Sequence, residues 1–293
     1  MSREDQNEIL VQIKGMKDNF TAYNSAKINS LNASFASPEQ LNLFQYIPFL
    51  FTVNQPEFPG YLKEITAPHG IDNYQVPPKL LSYLRISNPS FTPQRTVPGE
   101  PLIRLFALIG SAGTIAYNPD SDLDFWICGK FSLLDAESMS LLRRKCSIIE
   151  KWIMEYHKKE IHFYLNDIDH IKMNVFDEDE EYGLSGTSLG QMLKEEFYRS
   201  SIIINDIVPF WWAVPADCTD DQYAEWLSTI EGTPYWNQFI DLGNIAGLNK
   251  GDFLIAALFQ IIKSLGNPFK SIIKLGLLEQ YIHDDKKNPF ISN

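Results

Sequence analysis

Two aspartates two residues apart, Asp122 and Asp124, stand at the head of the run Asp122-Leu-Asp-Phe-Trp-Ile-Cys128. On an extended strand, residues i and i+2 project from the same face. Two carboxylates that close repel each other unless a cation lies between them. Mg²⁺ is the natural occupant, because it takes hard oxygen ligands and shares them with phosphate oxygens. A third acid, Asp167, closes a later run, Ile161–Asp167. On a neighbouring strand it would complete a two-metal clamp, with one ion activating the attacking oxygen and the other steadying the leaving oxygen.

A further feature precedes the acids. Leu102–Ile109 is apolar except for Arg104 and runs directly into Gly110-Ser111. Glycine lets backbone approach a phosphate closely, and a serine at a helix start offers both a hydroxyl and an N–H. Each part alone has a plainer reading. A pair of acids on a strand is commonly a solvated face, Gly-Ser is a turn, and Asp167 or Asp169 could cap a helix. The joint order of apolar strand, Gly-Ser, short spacer and Ser121-Asp-Leu-Asp124 is more specific than any of them.

The elements that must position these residues are legible from periodicity. Leu102–Ile109, Asp122–Cys128 and Ile161–Asp167 read as three strands. Asp135–Lys158 is an amphipathic helix with Met139, Leu142, Cys146, Ile149, Trp152, Ile153 and Tyr156 along its buried stripe. Leu189–Ser200 is helical, and Ile207–Val214 reads as another strand that places Trp211 and Trp212 in the core. Before the sheet, Ile9, Leu10, Ile13 and Met16 fall at helical spacing, and Ser37-Pro38-Glu39 opens a second helix. The proline-rich stretch Asn88–Pro101 reads as a linker or extended arm, and Asp177–Glu181 as a solvated loop. After Pro215 the pattern is helical, clearest over Asp220–Ile230, Lys250–Leu265 and Pro268–Tyr281.

Composition narrows the classes. The chain has 293 residues, 25 basic and 37 acidic, for a formal net charge of −12. That balance argues against a nucleic-acid surface, which needs a basic footprint. It leaves room for one triphosphate held by Mg²⁺ and a few cations. Cys128, Cys146 and Cys218 are far apart and lack metal-ligand spacing, so neither a zinc site nor a disulfide framework is expected. The five histidines, His69, His157, His162, His170 and His283, show no ligand spacing, and packing roles are expected of them. The start MSREDQNEIL is polar, so no signal peptide is expected, and no apolar stretch is long enough to span a bilayer. A cytoplasmic location is expected.

The stretch from Gly110-Ser111 to Ser121-Asp-Leu-Asp-Phe-Trp-Ile-Cys128 resembles the catalytic motif of the class I adenylate cyclases of bacteria, members of the polymerase-β-like nucleotidyltransferases. Other blocks follow in that family's order: Pro59-Gly-Tyr-Leu62 upstream, then Arg144-Lys-Cys-Ser147, Phe163 to Asp167, Glu196-Phe-Tyr-Arg199, Asp241-Leu-Gly243 and Lys263 to Lys270. The resemblance runs from about Phe58 to Tyr281.

It implies that the ribose 3′-oxygen of ATP attacks the α-phosphate, giving cyclic AMP and pyrophosphate with two Mg²⁺ or Mn²⁺ ions. Asp122 and Asp124 would bind the metals, and Asp167 would be the third carboxylate, assisting deprotonation of the 3′-hydroxyl. Gly110 and Ser111 would hold the β- and γ-phosphates. Lys263 and Lys270 would reach the triphosphate, and Arg199 would neutralise phosphate or pair with Glu196. The sequence departs from the family in its phosphate loop, Ala112-Gly-Thr-Ile-Ala-Tyr-Asn-Pro-Asp120, where Thr114 keeps one hydroxyl and Asp120 adds an acid. Ile255 replaces a glycine, and His69 stands where relatives can carry Lys. Full-length relatives carry a further C-terminal region tied to control by the sugar phosphotransferase system.

The expected architecture is α+β: a nucleotidyltransferase-type mixed sheet flanked by helices. Residues 1–100 form a helical extension and linker, 101–216 the catalytic core, and 217–293 a helical domain. Two rivals to a cyclase stay open, a transferase acting on an external hydroxyl and a non-catalytic nucleotide-binding module.

Overall fold

The apolar run after Pro101 forms β1, Ile103–Ile109, buried except at Arg104 and Ile109. The run headed by the aspartates forms β2, Leu123–Gly129, and Ile161–Asp167 forms β3. With the two-residue β4, Ile202–Ile203, they make one sheet in the order β3-β2-β1-β4. The computed structural model describes residues 3–35, 37–64, 66–87, 91, 101–110, 112, 121–176, 187–215 and 217–245, with 258, 261, 268, 271, 272, 275, 276 and 279 beyond these.

Connection lengths set the strand directions. A short spacer returns the chain from β1 to an antiparallel β2. Between β2 and β3 lies α4, Ala136–His157, and a helical crossover of that length brings β3 back parallel to β2. Asp135 caps α4, its side chain accepting the Ser138 N–H, and Lys158 closes it in the left-handed region at φ 52°. The helix buries Leu141, Leu142, Lys145, Cys146, Ile149 and Ile153. The expected stripe holds at its centre, but Tyr156 is exposed, one turn beyond the last buried residue.

The chain divides into two units, each assembled from separated stretches. One comprises residues 22–168 and 202–207 and contains the four-stranded sheet. Its core joins the sheet to α2, Pro38–Thr52. Phe51 of α2 packs against Phe106 and Phe163 at centroid distances of 5.4 and 4.9 Å, and Phe125 completes the group at 5.5 and 5.6 Å from the same two rings. Because β2 alternates, Phe125 points into this core and Asp124 to the opposite face. Phe91, on the stretch expected to be a linker, is buried against Phe49 and Phe58. The other helices of the N-terminal stretch are α1, Arg3–Ser34, and α3, Pro78–Ser87.

The other unit comprises residues 1–21, 169–201 and 208–293. After the short helix α5, Ile168–Lys172, it contains α6, Thr187–Ser200, and α7, Asp220–Glu231. Between them the chain departs from the expected strand Ile207–Val214. Only Val208–Pro209 is extended, as β5, paired in parallel with β6, Phe239–Ile240. Pro209 has no N–H to continue a ladder, and Phe210–Ala213 turns into a 3-10 helix. Trp211 stacks on Tyr198 at 4.9 Å from that turn, and Trp212 Nε1 donates to the Tyr198 carbonyl at 3.2 Å. The tryptophans are therefore packing residues, but not strand residues. Asp177–Glu181, most of Asn88–Pro101, and all but scattered positions of Lys250–Leu265 and Pro268–Tyr281 lie outside the described residues. Among the described residues, no helix is long and apolar enough to cross a membrane.

Candidate active site

The antiparallel return from β1 brings the last residues of β1 beside the first residues of β2. Ile109 is in register with Asp124, and on the other side of β2 the parallel partner of Asp124 is His162. Registered positions on neighbouring strands share a face. Asp124 thus sits in a row between Ile109 and His162, and Asp122 lies one pleat away on the same face. Asp122 is exposed and Asp124 half-buried. One ligand atom each from Asp122, Asp124 and His162 can be chosen so that all three lie within 4.8 Å of one another.

Gly110 follows Ile109 with φ +86°, a conformation that L side chains rarely adopt. A Cβ built there would stand 3.6 Å from Asp124 Oδ2. The turn out of β1 therefore leaves bare backbone beside the carboxylate. On the other flank, Lys159 Nζ donates to the Ser121 carbonyl, tying the residue before Asp122 to the loop between α4 and β3. Lys159 escaped sequence reading, since a lysine between a helix and a strand carries no pattern of its own. The donor set of two carboxylates and one imidazole, with its ligand atoms gathered at a strand end, fits a divalent cation. Glu160 adds negative charge, with Oε1 3.3 Å from His162 Nε2.

Asp167 does not join this group. Its register partner is Gly129, five pairs along the strands from Asp124 and His162. At roughly 3.3 Å per residue the two positions are about 16 Å apart. Asp167 is buried, and its Oδ2 accepts the Ser132 N–H at 2.7 Å, holding the turn that follows β2. The expectation of a third carboxylate there fails because β2 and β3 run parallel. Their beginnings meet, and Asp167 is at an end. Asp169 is exposed and lies 3.7 Å from Lys172. The residue that the register brings to Asp124 is His162, for which packing alone was expected.

The remaining expectations divide. Ser111, Thr114, Asp120, Lys263, Lys270 and Ile255 lie outside the described residues. Arg199, on α6, belongs to the unit without the four-stranded sheet, and its Nε lies 3.3 Å from Glu195 Oε1. His69 is half-buried with Nδ1 2.8 Å from the Ala67 carbonyl.

Several resemblance blocks have structural duties. Gly60, at φ +84°, lets the backbone pass Ile149 so closely that a Cβ would lie 2.8 Å from Ile149 Cγ1. Lys145 is buried and donates from Nζ to the carbonyls of Val53 and Gly60 at 2.8 and 3.2 Å. Burial pushes its ammonium down to about 8. Asp241 accepts the Tyr223 hydroxyl at 2.7 Å and the Gly243 N–H at 2.8 Å, and its other oxygen is 3.0 Å from Lys172 Nζ.

Residues 12–212 match the family model described as the adenylate cyclase NT domain. The chain is 30% identical over 277 residues to proteins named adenylate cyclase from Salmonella typhimurium (strain LT2) and Escherichia coli (strain K12), covering 92% of this chain and 32% of each relative. It is 28% identical over 281 residues to the adenylate cyclase of Yersinia pestis, covering 92% of this chain and 31% of that one. The chain thus spans about a third of the length of these relatives. No solved structure matches it.

Proposed function

Because the chain belongs to the adenylate cyclase NT domain family, we propose that it carries the site at which ATP is cyclised to 3′,5′-cyclic AMP with release of pyrophosphate. The observation that supports this reading is the placement of Asp122 and Asp124 on one face at the start of β2, beside the left-handed turn at Gly110. Asp122 and Asp124 would hold a divalent ion, which would supply charge neutralisation for the phosphoryl oxygens and a lower cost of deprotonating the ribose hydroxyl. The chain's own residues do the rest. Asp122 and Asp124 would set where that ion sits relative to the strand end. The bare backbone at Gly110 leaves space for phosphate oxygens to approach without meeting a side chain. Lys159, bound to the Ser121 carbonyl, holds the segment that presents Asp122.

In the cyclisation, the 3′-oxygen forms a bond to the α-phosphorus as the bond from that phosphorus to the pyrophosphate oxygen breaks. The hydroxyl proton leaves for solvent or a nearby base. Attacking and leaving groups belong to one molecule, so the residues must hold ATP folded rather than bring in an acceptor.

The test is to incubate the protein with ATP and either Mg²⁺ or Mn²⁺, with no acceptor, and resolve the products. Formation of cyclic AMP supports the reading. Transfer of the nucleotide only when a hydroxyl acceptor is added would point to an external transferase. Saturable ATP binding without turnover would mark a binding module.

A further inference from the structure

The sheet register brings to the acid pair an imidazole where three carboxylates were expected. His162 is the second residue of β3, as Asp124 is of β2, and the parallel pairing sets the two directly opposite. Ligand atoms around one ion at about 2.1 Å are roughly 3 to 4.2 Å apart. A group whose ligand atoms already lie within 4.8 Å needs only small side-chain adjustments to close on a single ion. All three residues belong to the same unit, Asp124 and His162 on adjacent strands and Asp122 immediately before β2.

We infer that His162 is a metal ligand, and that the Asp122–Asp124–His162 set selects a first-row transition divalent ion, with Mn²⁺ as the probe, over Mg²⁺. This rests on the reading of Asp122 and Asp124 as the cation-binding pair. Mg²⁺ favours an all-oxygen octahedron and keeps its water rather than take a nitrogen. Imidazole is a donor for the transition metals, so replacing one carboxylate by histidine shifts the balance away from Mg²⁺. One negative ligand charge is also lost, which costs the harder, more tightly hydrated ion more. Glu160, 3.3 Å from the His162 ring, keeps the surroundings negative. His162 is still 40% exposed, so an arriving ion does not have to open the core to reach it.

The test uses the full chain with Mn²⁺ alone. Affinity is measured by titration and by competition with Mg²⁺, and the metal environment by pulsed electron paramagnetic resonance. In the wild type, bound Mn²⁺ carries the modulation of a directly coordinated imidazole nitrogen. In His162→Ala that signal disappears and Mn²⁺ affinity falls by about tenfold or more, the scale at which coordination-shell changes act. In His162→Asp the Mn²⁺-to-Mg²⁺ preference falls by a similar factor, because the set is again all oxygen. The inference is overturned if wild-type Mn²⁺ shows no nitrogen modulation and His162→Ala binds Mn²⁺ as the wild type does, while Asp124→Asn loses it. His162 is then only a neighbour of Glu160, and the acid-pair reading stands. A wild type that binds no Mn²⁺ overturns the inference and the acid-pair reading together.

Discussion

Asp124 and His162 are direct register partners across the parallel pair β2–β3, while Asp167, on the same strand as His162, is paired with Gly129 at the other end of the sheet. The two acids therefore have separable duties. Asp124→Asn is expected to lower cyclic AMP formation by on the order of a thousandfold. Its melting temperature without metal should be unchanged or higher, since the substitution relieves like-charge repulsion. A variant that kept turnover would remove Asp124 from the site.

Asp167→Ala is expected to behave in the opposite way. It removes the acceptor of the Ser132 N–H from a buried position, at a cost of about 1–3 kcal/mol. Turnover per folded molecule should stay within a few-fold of wild type. Denaturant melts and cyclic AMP assays on the same preparation separate the two effects. A loss of turnover with unchanged stability would return Asp167 to the chemistry.

Lys145 links a buried charge to pH. The folded chain releases its proton near pH 8, and the unfolded chain near 10.5. Between those values the unfolded state binds more protons, so this group makes stability rise with pH. Above about pH 9 the buried thiols of Cys128 and Cys146, pushed up by desolvation, act in the reverse sense. Comparison with Lys145→Met cancels the Cys128 thiol and most of the effect of Cys146, whose thiol the neighbouring lysine charge pulls down in the wild type alone. The stability difference, wild type minus variant, should grow from pH 8 to 10.5 by on the order of 2–3 kcal/mol. At pH 7 the variant should already be destabilised, because two buried carbonyls lose their donor. A pH-independent difference would mean that the lysine titrates alike in both states.

Gly60→Ala is expected to cost about 1–3 kcal/mol, from the positive φ together with the contact on Ile149. Urea melts of the variant are the measurement. A neutral result would mean that the Pro59–Leu62 turn re-forms with another backbone geometry.

Asn205 should be among the most sensitive polar positions of the sheet. Its Oδ1 accepts the Phe106 N–H, and its Nδ2 donates to the carbonyls of Asp72 and Arg104, all at 2.9 Å. Asn205→Ala leaves these buried groups unpaired and is expected to cost about 3 kcal/mol, with Asn205→Leu no better. Stability retained in Asn205→Leu would show that the backbone finds other partners.

Much of this arrangement is written locally. The three long strands and α4 were legible because each carries its own period and its own stops, such as the Asp135 cap and the left-handed Lys158. The same local reasoning picked out Asp122, Asp124 and Gly110, because two acids on one strand share a face whatever the rest of the chain does. It failed where a local signal was outvoted. The apolar run Ile207–Val214 looks like a strand, but Pro209 cannot extend the ladder and the tryptophans pack from a 3-10 turn. Lys145 lies among stripe residues of α4, yet only the approach of Val53 and Gly60 explains why a lysine is buried there.

The third member of the site belongs to the tertiary structure alone. In the chain, His162 is 38 residues from Asp124 and Asp167 is 43 away, and no spacing rule prefers one to the other. The preference comes from strand direction. A helical crossover makes β3 parallel to β2, and parallel strands align their beginnings, so the second residue of one meets the second residue of the other. The sequence by itself determined which residues could hold a phosphate-bound cation and on which strand face. Which residue stands beside them was decided by sheet register, a relation between segments that neither segment encodes alone.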